Sequence, residues 1–203
     1  MEYRDNYRIQ LEQAKKTFLS YDQSTLIQKL NLQADERYLY TQLLGSRYRI
    51  CRETSDFQRQ KESSWVDANT HGEVMTLLDL ICDSREDRFV CGRWRDMVAF
   101  GQMFHRQLQE IDPWALRFQQ DPEGLRRVLM DMGGRPFPHG DVACVLELFD
   151  GLPIVLQFWQ ADEEFPPSLR LLWDENALMY LKYETMYFAK GVLLKRIEEM
   201  MDQ

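Results

Sequence analysis

The sequence predicts an α+β fold in which an antiparallel sheet packs with helices, and three observations carry that prediction. Val142 to Phe149 and Pro153 to Trp159 are apolar runs of strand length flanking Asp150-Gly151, a pair suited to a tight hairpin turn. An acidic, proline-stiffened loop, Ala161-Asp162-Glu163-Glu164-Phe165-Pro166-Pro167, then leads to a third strand, Leu169 to Trp173, closed by Asp174. Elsewhere apolar residues recur at helical spacing, so helices must cover the sheet.

Taken in order, Tyr7, Leu11, Ala14 and Phe18 fall at i, i+4, i+7 and i+11, which predicts an amphipathic first helix. A shorter second helix is expected from Asp22, a natural N-cap, to Asn31, with Leu26, Ile27 and Leu30 on one face. The period then changes. Tyr38 to Leu43 alternates, Gly45-Ser46 turns, and Tyr48, Ile50 and Cys51 follow with arginines between, which predicts a hairpin. Thr54 to Asn69 is polar and is expected to be loop, with at most a short strand near Phe57.

Thr70-His71-Gly72-Glu73 matches a capping box and starts a buried helix carrying Val74, Leu77, Leu78 and Ile81, ending near Asp83-Ser84. A charged loop through Arg93-Trp94-Arg95 and an apolar patch of ambiguous period, Met97 to Phe104, come next. Asp112-Pro113 and Asp121-Pro122 each pair a cap with a proline pre-set for the first helical turn. Trp114, Leu116 and Phe118 mark the first of these helices, and Leu125, Val128 and Leu129 the second, which Gly133-Gly134 ends. Arg135-Pro136-Phe137-Pro138-His139 reads as an extended linker. Leu178, Leu181, Phe188, Val192, Leu193 and Ile197 predict one long C-terminal helix or two with a break. The expected organisation is an N-terminal helical pair, 1–34, followed by one α+β domain, 35–203.

Composition narrows the functional classes. A chain of 203 residues buries roughly 70% of its unfolded surface, enough for a real core. No apolar run approaches the roughly 20 residues that cross a bilayer, and Met1-Glu2-Tyr3-Arg4-Asp5-Asn6 lacks the apolar core of a secretory signal, so a cytoplasmic protein without membrane contact is expected. A net charge of −8 opposes nucleic acid as a partner. One stretch runs against that balance: Arg37, Arg47, Arg49, Arg52, Arg59 and Lys61 face only Glu53 and Asp56, either as a local anion contact or as a solvated hairpin face. Cys51, Cys82, Cys91 and Cys144 are isolated, which predicts free thiols and assigns no metal or cofactor.

Signatures for dinucleotide, P-loop, zinc-protease and serine-hydrolase chemistry are missing. Of the three histidines, His71 belongs to the capping box and His105 suits core or surface. His139, on a proline-rich loop before the hairpin, is the best placed for chemistry. The acidic set Asp162, Glu163, Glu164, Asp174, Glu175 and Glu184 is stronger. Asp162 and Glu164, two apart on extended chain, point the same way and suit a hard cation or a proton shuttle. Asp162 and Asp174 sit at opposite ends of the third strand, too far apart to share a metal. The purely structural alternative has Asp174 capping the next helix, Asp162 and Glu164 accepting loop amides, and Phe165 plugging the core. Trp159 and Trp173, with Tyr180, Tyr183 and Tyr187, either line a pocket mouth or fill the core.

The combination of Gly140-Asp141, Phe158 through Pro166, Leu172-Trp173-Asp174 and Glu184 resembles an uncharacterised family of anaerobic bacterial and archaeal proteins known only as a domain of unknown function. Its hallmark is D-x-E-F-P, a hydrophobic strand ending in aspartate, and a later glutamate. The likeness covers most of residues 37–200 and leaves the N-terminal helical pair outside. It implies no activity. Some relatives carry an appended iron–sulfur domain, implying company with redox or one-carbon metabolism, but this chain has no cysteine-rich segment.

The expected function is therefore a ligand- or partner-binding accessory module. Its candidate site comprises Trp159, Asp162, Glu164, Phe165, Trp173, Asp174, Glu184 and His139. An enzyme using Asp162 or Glu164 as acid, base or cation ligand, with His139 or Arg135 nearby, and a structural homodimer are the alternatives; a small molecule or a protein are both open as partners.

Overall fold

A computed structural model describes residues 2–101 and 112–203, and the chain divides into two compact units. The first comprises Met1–Phe89 and Leu178–Ala189, the second Val90–Ala177 and Lys190–Gln203. The predicted α+β class holds, with two five-stranded antiparallel sheets in place of one.

The first unit opens with helices α1 (Glu2–Ser20) and α2 (Gln23–Leu30). In the stripe predicted for α1, Phe18 is fully buried while Tyr7 is 43% exposed. Asp22 caps α2 by accepting from the Ser24 amide at 3.0 Å, and Asn31 closes it in the left-handed region. Strands β1 (Gln33–Ala34), β2 (Tyr38–Leu43), β3 (Ser46–Cys51), β4 (Phe57–Lys61) and β5 (Ser64–Asp67) form a meander in chain order. Both residues of the Leu44-Gly45 turn have positive φ, as the strand twist requires of a two-residue hairpin.

The β4–β5 hairpin corrects the expectation of a loop over Thr54 to Asn69. Its inward positions carry one large apolar side chain, Phe57, so alternation gives almost no signal. The Asn69 amide completes the pattern, accepting from the Phe57 N–H at 3.1 Å and donating to the Phe57 carbonyl at 3.2 Å. Leu39, Leu43, Tyr48, Ile50 and Phe57 form the buried face. Tyr48 reaches from it to donate to Glu73 Oε1 at 2.7 Å.

Helix α3 (His71–Leu78) begins at the predicted capping box, with the Thr70 hydroxyl accepting the Glu73 amide at 3.4 Å and donating to Glu73 Oε2 at 2.7 Å. It runs on as a π-helical turn, Asp79–Asp83. Here Lys182 ties the unit's two segments: its ammonium lies 2.8 Å from Asp79 and 2.6 Å from Asp83, and its amide donates to Asp79 Oδ2 at 2.6 Å.

In the second unit the sheet order is β6 (Trp94–Asp96), β10 (Ser168–Asp174), β9 (Leu152–Trp159), β8 (Val142–Phe149) and β7 (Arg135–Pro136). The predicted three-strand meander is its centre, and Asp150-Gly151 makes its turn with positive φ at both residues. The edges β6 and β7 were expected to be charged loop and linker. Each is short, polar or proline-bearing, as edge strands tend to be, and therefore carries no alternation to read.

Met97–Phe100 forms a 3-10 turn that Gly101 closes; residues 102–104 of the ambiguous patch and His105 lie outside the described residues. Helices α4 (Pro113–Phe118) and α5 (Pro122–Asp131) start at their predicted aspartates, which accept from Trp114 at 2.9 Å and Gly124 at 2.8 Å. Phe118 packs edge-on against Phe158 of β9. Leu116 points to solvent, because a spacing of two does not share a helical face. A 3-10 turn, Ala177–Met179, precedes one long helix, α6 (Tyr183–Met201), so the predicted C-terminal helix is single.

Candidate functional site

The loop joining β9 to β10 is built from its own amides outward. Asp162 Oδ1 accepts from the backbone N–H groups of Glu164 at 2.8 Å and Phe165 at 2.7 Å, while the Asp162 N–H donates to the Phe165 carbonyl at 3.0 Å. Those amides hold its carboxyl below the usual carboxylate range. Two neighbours anchor the entry to the loop. The Gln160 N–H donates to Asp141 Oδ2 and the Ala161 N–H to Gln119 Oε1, both at 2.7 Å. At the exit Pro167 is buried.

With the backbone so fixed, Glu163, Glu164, Phe165 and Pro166 project outward. Phe165 is 65% exposed, which corrects the alternative in which it plugs the core. Pro167 takes that place. Neither Glu163 nor Glu164 has a side-chain partner among the described residues. Asp162 and Glu164 are therefore unequal: one is spent on the turn and the other faces water.

Trp159 is half-buried at the end of β9, with the Arg170 guanidinium 5.9 Å from its ring centre. His139 is exposed with φ 70°, and its carbonyl accepts from the buried Gln157 amide at 2.7 Å. Trp159, Asp162, Glu164, Phe165 and the His139 backbone thus gather at one end of the sheet.

Trp173 and Asp174 lie at the other end. β10 spans Ser168–Asp174, roughly 20 Å at about 3.3 Å per residue. Both are fully buried. Asp174 accepts from the Cys91 N–H at 3.2 Å, the Gly92 N–H at 2.7 Å and the Asn176 N–H at 2.9 Å. It holds the segment leading into β6 and the turn at Asn176, which corrects the expectation that it caps a helix, since α6 starts only at Tyr183. Glu175 continues the clamp, pairing with Arg93 at 2.7 Å and Arg95 at 3.3 Å. Glu184 is exposed in the first turn of α6 and belongs to the other unit.

Of the two residues that position the loop, Gln119 does not enter the sequence reading at all, and Asp141 enters it only through the family resemblance, with no role attached. Their partners lie 42 and 19 residues away, and no local pattern marks them. Among the described residues, no group of three or more His, Cys, Asp and Glu side chains comes close enough together to hold a metal ion. No helix among them is long and apolar enough to cross a membrane.

The profile of a domain of unknown function, DUF3786, matches residues 22–196, and the chain belongs to that family. The match starts at Asp22 and so includes α2, which the resemblance had left outside. No curated protein and no solved structure matches the chain.

Proposed function

We propose that this DUF3786 protein is a binding module that presents the loop 160–166 to a partner macromolecule. The observation that carries the reading is the exposure of Phe165 on a backbone already fixed by Asp162, Asp141 and Gln119. An aromatic side chain on a fixed backbone, flanked by exposed carboxylates and a proline, has the makings of an interface anchor: the backbone's ordering cost is met before binding, and the ring removes a large apolar area from water on contact. Trp159 and the exposed His139 flank the same end of the sheet and extend the surface. At Asp162 the two N–H groups of the turn occupy Oδ1, which leaves Oδ2 alone for acid–base or cation chemistry.

A thermal-shift series with divalent cations, nucleotides, folates and corrinoids separates the readings. A compound at 100 times its dissociation constant adds about 2.7 kcal/mol of apparent stability. The docking reading expects no stabilisation that Asp162→Asn or Glu164→Gln removes. A cation or metabolite that stabilises the wild-type chain and neither variant would overturn it in favour of a ligand or catalytic site.

A further inference from the structure

We infer that the outward face of the β1–β5 sheet binds an extended acidic peptide segment of another protein, with carboxylates on alternate residues. This site is independent of the loop 160–166 and belongs to the other unit.

The register of the meander sets the face. Tyr40 pairs with Arg49 and Gln42 with Arg47 across β2–β3; Arg49 pairs with Gln58 across β3–β4; Gln60 pairs with Trp65 across β4–β5. Opposed residues share a side of the sheet, so Tyr38, Tyr40, Arg47, Arg49 and Trp65 stand together, with glutamines between them. All are half-buried or exposed, in contrast to the buried Leu39, Leu43, Tyr48 and Ile50 on the reverse.

The arginines are held by rings. The Arg49 guanidinium lies 4.3 Å from the centre of Tyr38 and 4.5 Å from that of Trp65, Arg47 lies 4.8 Å from Tyr40, and Arg37 lies 5.3 Å from Tyr38. Glutamines take one donor from each of two: Arg49 Nε gives to Gln58 Oε1 at 2.7 Å and Arg47 to Gln33 Oε1 at 3.3 Å. Stacking fixes each plane and lowers the entropy lost on binding an anion, while leaving further N–H edges of the guanidinium for it.

What is missing is a carboxylate. In a chain of net charge −8, Arg85, Arg93, Arg95, Arg117 and Arg126 are each paired with an acid, whereas among the described residues Arg37, Arg47 and Arg49 are not. Asp35 is near enough for the Arg49 charge to act on it, yet neither it nor Asp67 forms an ion pair with these arginines among the described residues. Asp35 accepts from the Tyr40 hydroxyl and from the Arg37 and Tyr38 amides, and Asp67 from Asn69.

Spacing selects the occupant. Arg47 and Arg49 are two apart on one strand, about 6.8 Å along it, the repeat at which an extended peptide places side chains on one side. A short acidic strand satisfies both arginines. A nucleic acid would bring a long run of phosphates against a net-negative molecule.

The test is fluorescence anisotropy with a labelled nonapeptide alternating Glu and Val, against an isomer with its glutamates contiguous. The expected result is tighter binding of the alternating peptide, weakened by salt and at least about tenfold by R47Q/R49Q, with Arg126→Gln neutral. Circular dichroism checks folding. Should R47Q/R49Q not fold, Gln42→Glu with Gln60→Glu adds charge at exposed positions of the same face and is expected to weaken binding as well. Equal binding of the two isomers, no binding, tighter binding of oligouridylate, or self-association that R47Q/R49Q abolishes would each overturn the assignment.

Discussion

Replacing Asp174 with alanine tests whether one buried carboxylate holds the edge of the second sheet. The side chain is fully buried and accepts three backbone N–H groups, from Cys91, Gly92 and Asn176. Hydrogen bonds to a charged group contribute about 1.5–3 kcal/mol each, but bonds sharing one carboxylate are not additive, and loosening the loop would admit water to the freed amides. A loss of roughly 3–5 kcal/mol follows, in the range found when a buried charged network loses a member. Asp174→Asn keeps an acceptor but turns an NH2 toward an N–H, and is expected to cost about 1–3 kcal/mol. Urea unfolding followed by tryptophan fluorescence suits the question, because Trp173 precedes Asp174 and Trp94 pairs with it across the β6–β10 ladder. Hydrogen exchange at Cys91 and Gly92 should rise most in the alanine variant. A loss below about 1 kcal/mol, or unchanged protection there, would refute the clamp.

Three further outcomes follow from the same kind of reasoning. Burial alone would raise the Asp83 carboxyl, but bonds from Lys182 and Tyr21 and the ammonium charge lower it, while burial works to lower Lys182 and the two aspartates outweigh it and raise it. Lys182→Met should cost about 1–2 kcal/mol near neutrality, discounted because the ammonium is partly solvated. That difference should shrink as pH falls below the ordinary aspartate value of 3.8 and as it rises above the ordinary lysine value of 10.5, read from denaturation midpoints across pH. Gly134→Ala sets a methyl 2.4 Å from the Leu129 carbonyl oxygen, a backbone atom that cannot swing aside, and should cost more than about 2 kcal/mol; Gly133→Ala meets nothing within 4 Å and costs only its left-handed φ, about 1 kcal/mol. Phe165→Ser should leave the unfolding midpoint within about 0.5 kcal/mol of wild type, since the ring is mostly in water.

What could be read from the letters followed local chemistry. Aspartate caps at Asp22, Asp112 and Asp121, the box at Thr70 and Glu73, and the Asp150-Gly151 turn each act within a few residues, and each stands where it was expected. Strands whose signal depends on a distant partner were lost. β6 owes its place to Asp174, some 80 residues on, and β4–β5 to a ladder with few apolar positions. The candidate site split for the same reason. Trp159 to Phe165 is one local piece of chain and stays together, whereas Trp173 and Asp174 were separated from it by the length of a strand that the sequence itself implied. The exposure of Phe165 was not legible, because an aromatic beside two prolines fits a plug and an anchor equally well.

The most direct test of the docking reading places a photo-cross-linkable phenylalanine analogue at position 165, with position 116 as an exposed control, in the cells that naturally make the protein. The account predicts a discrete adduct from position 165, absent from position 116 and abolished by Glu163→Lys with Glu164→Lys. No adduct at 165, or the same pattern from both positions, would contradict it.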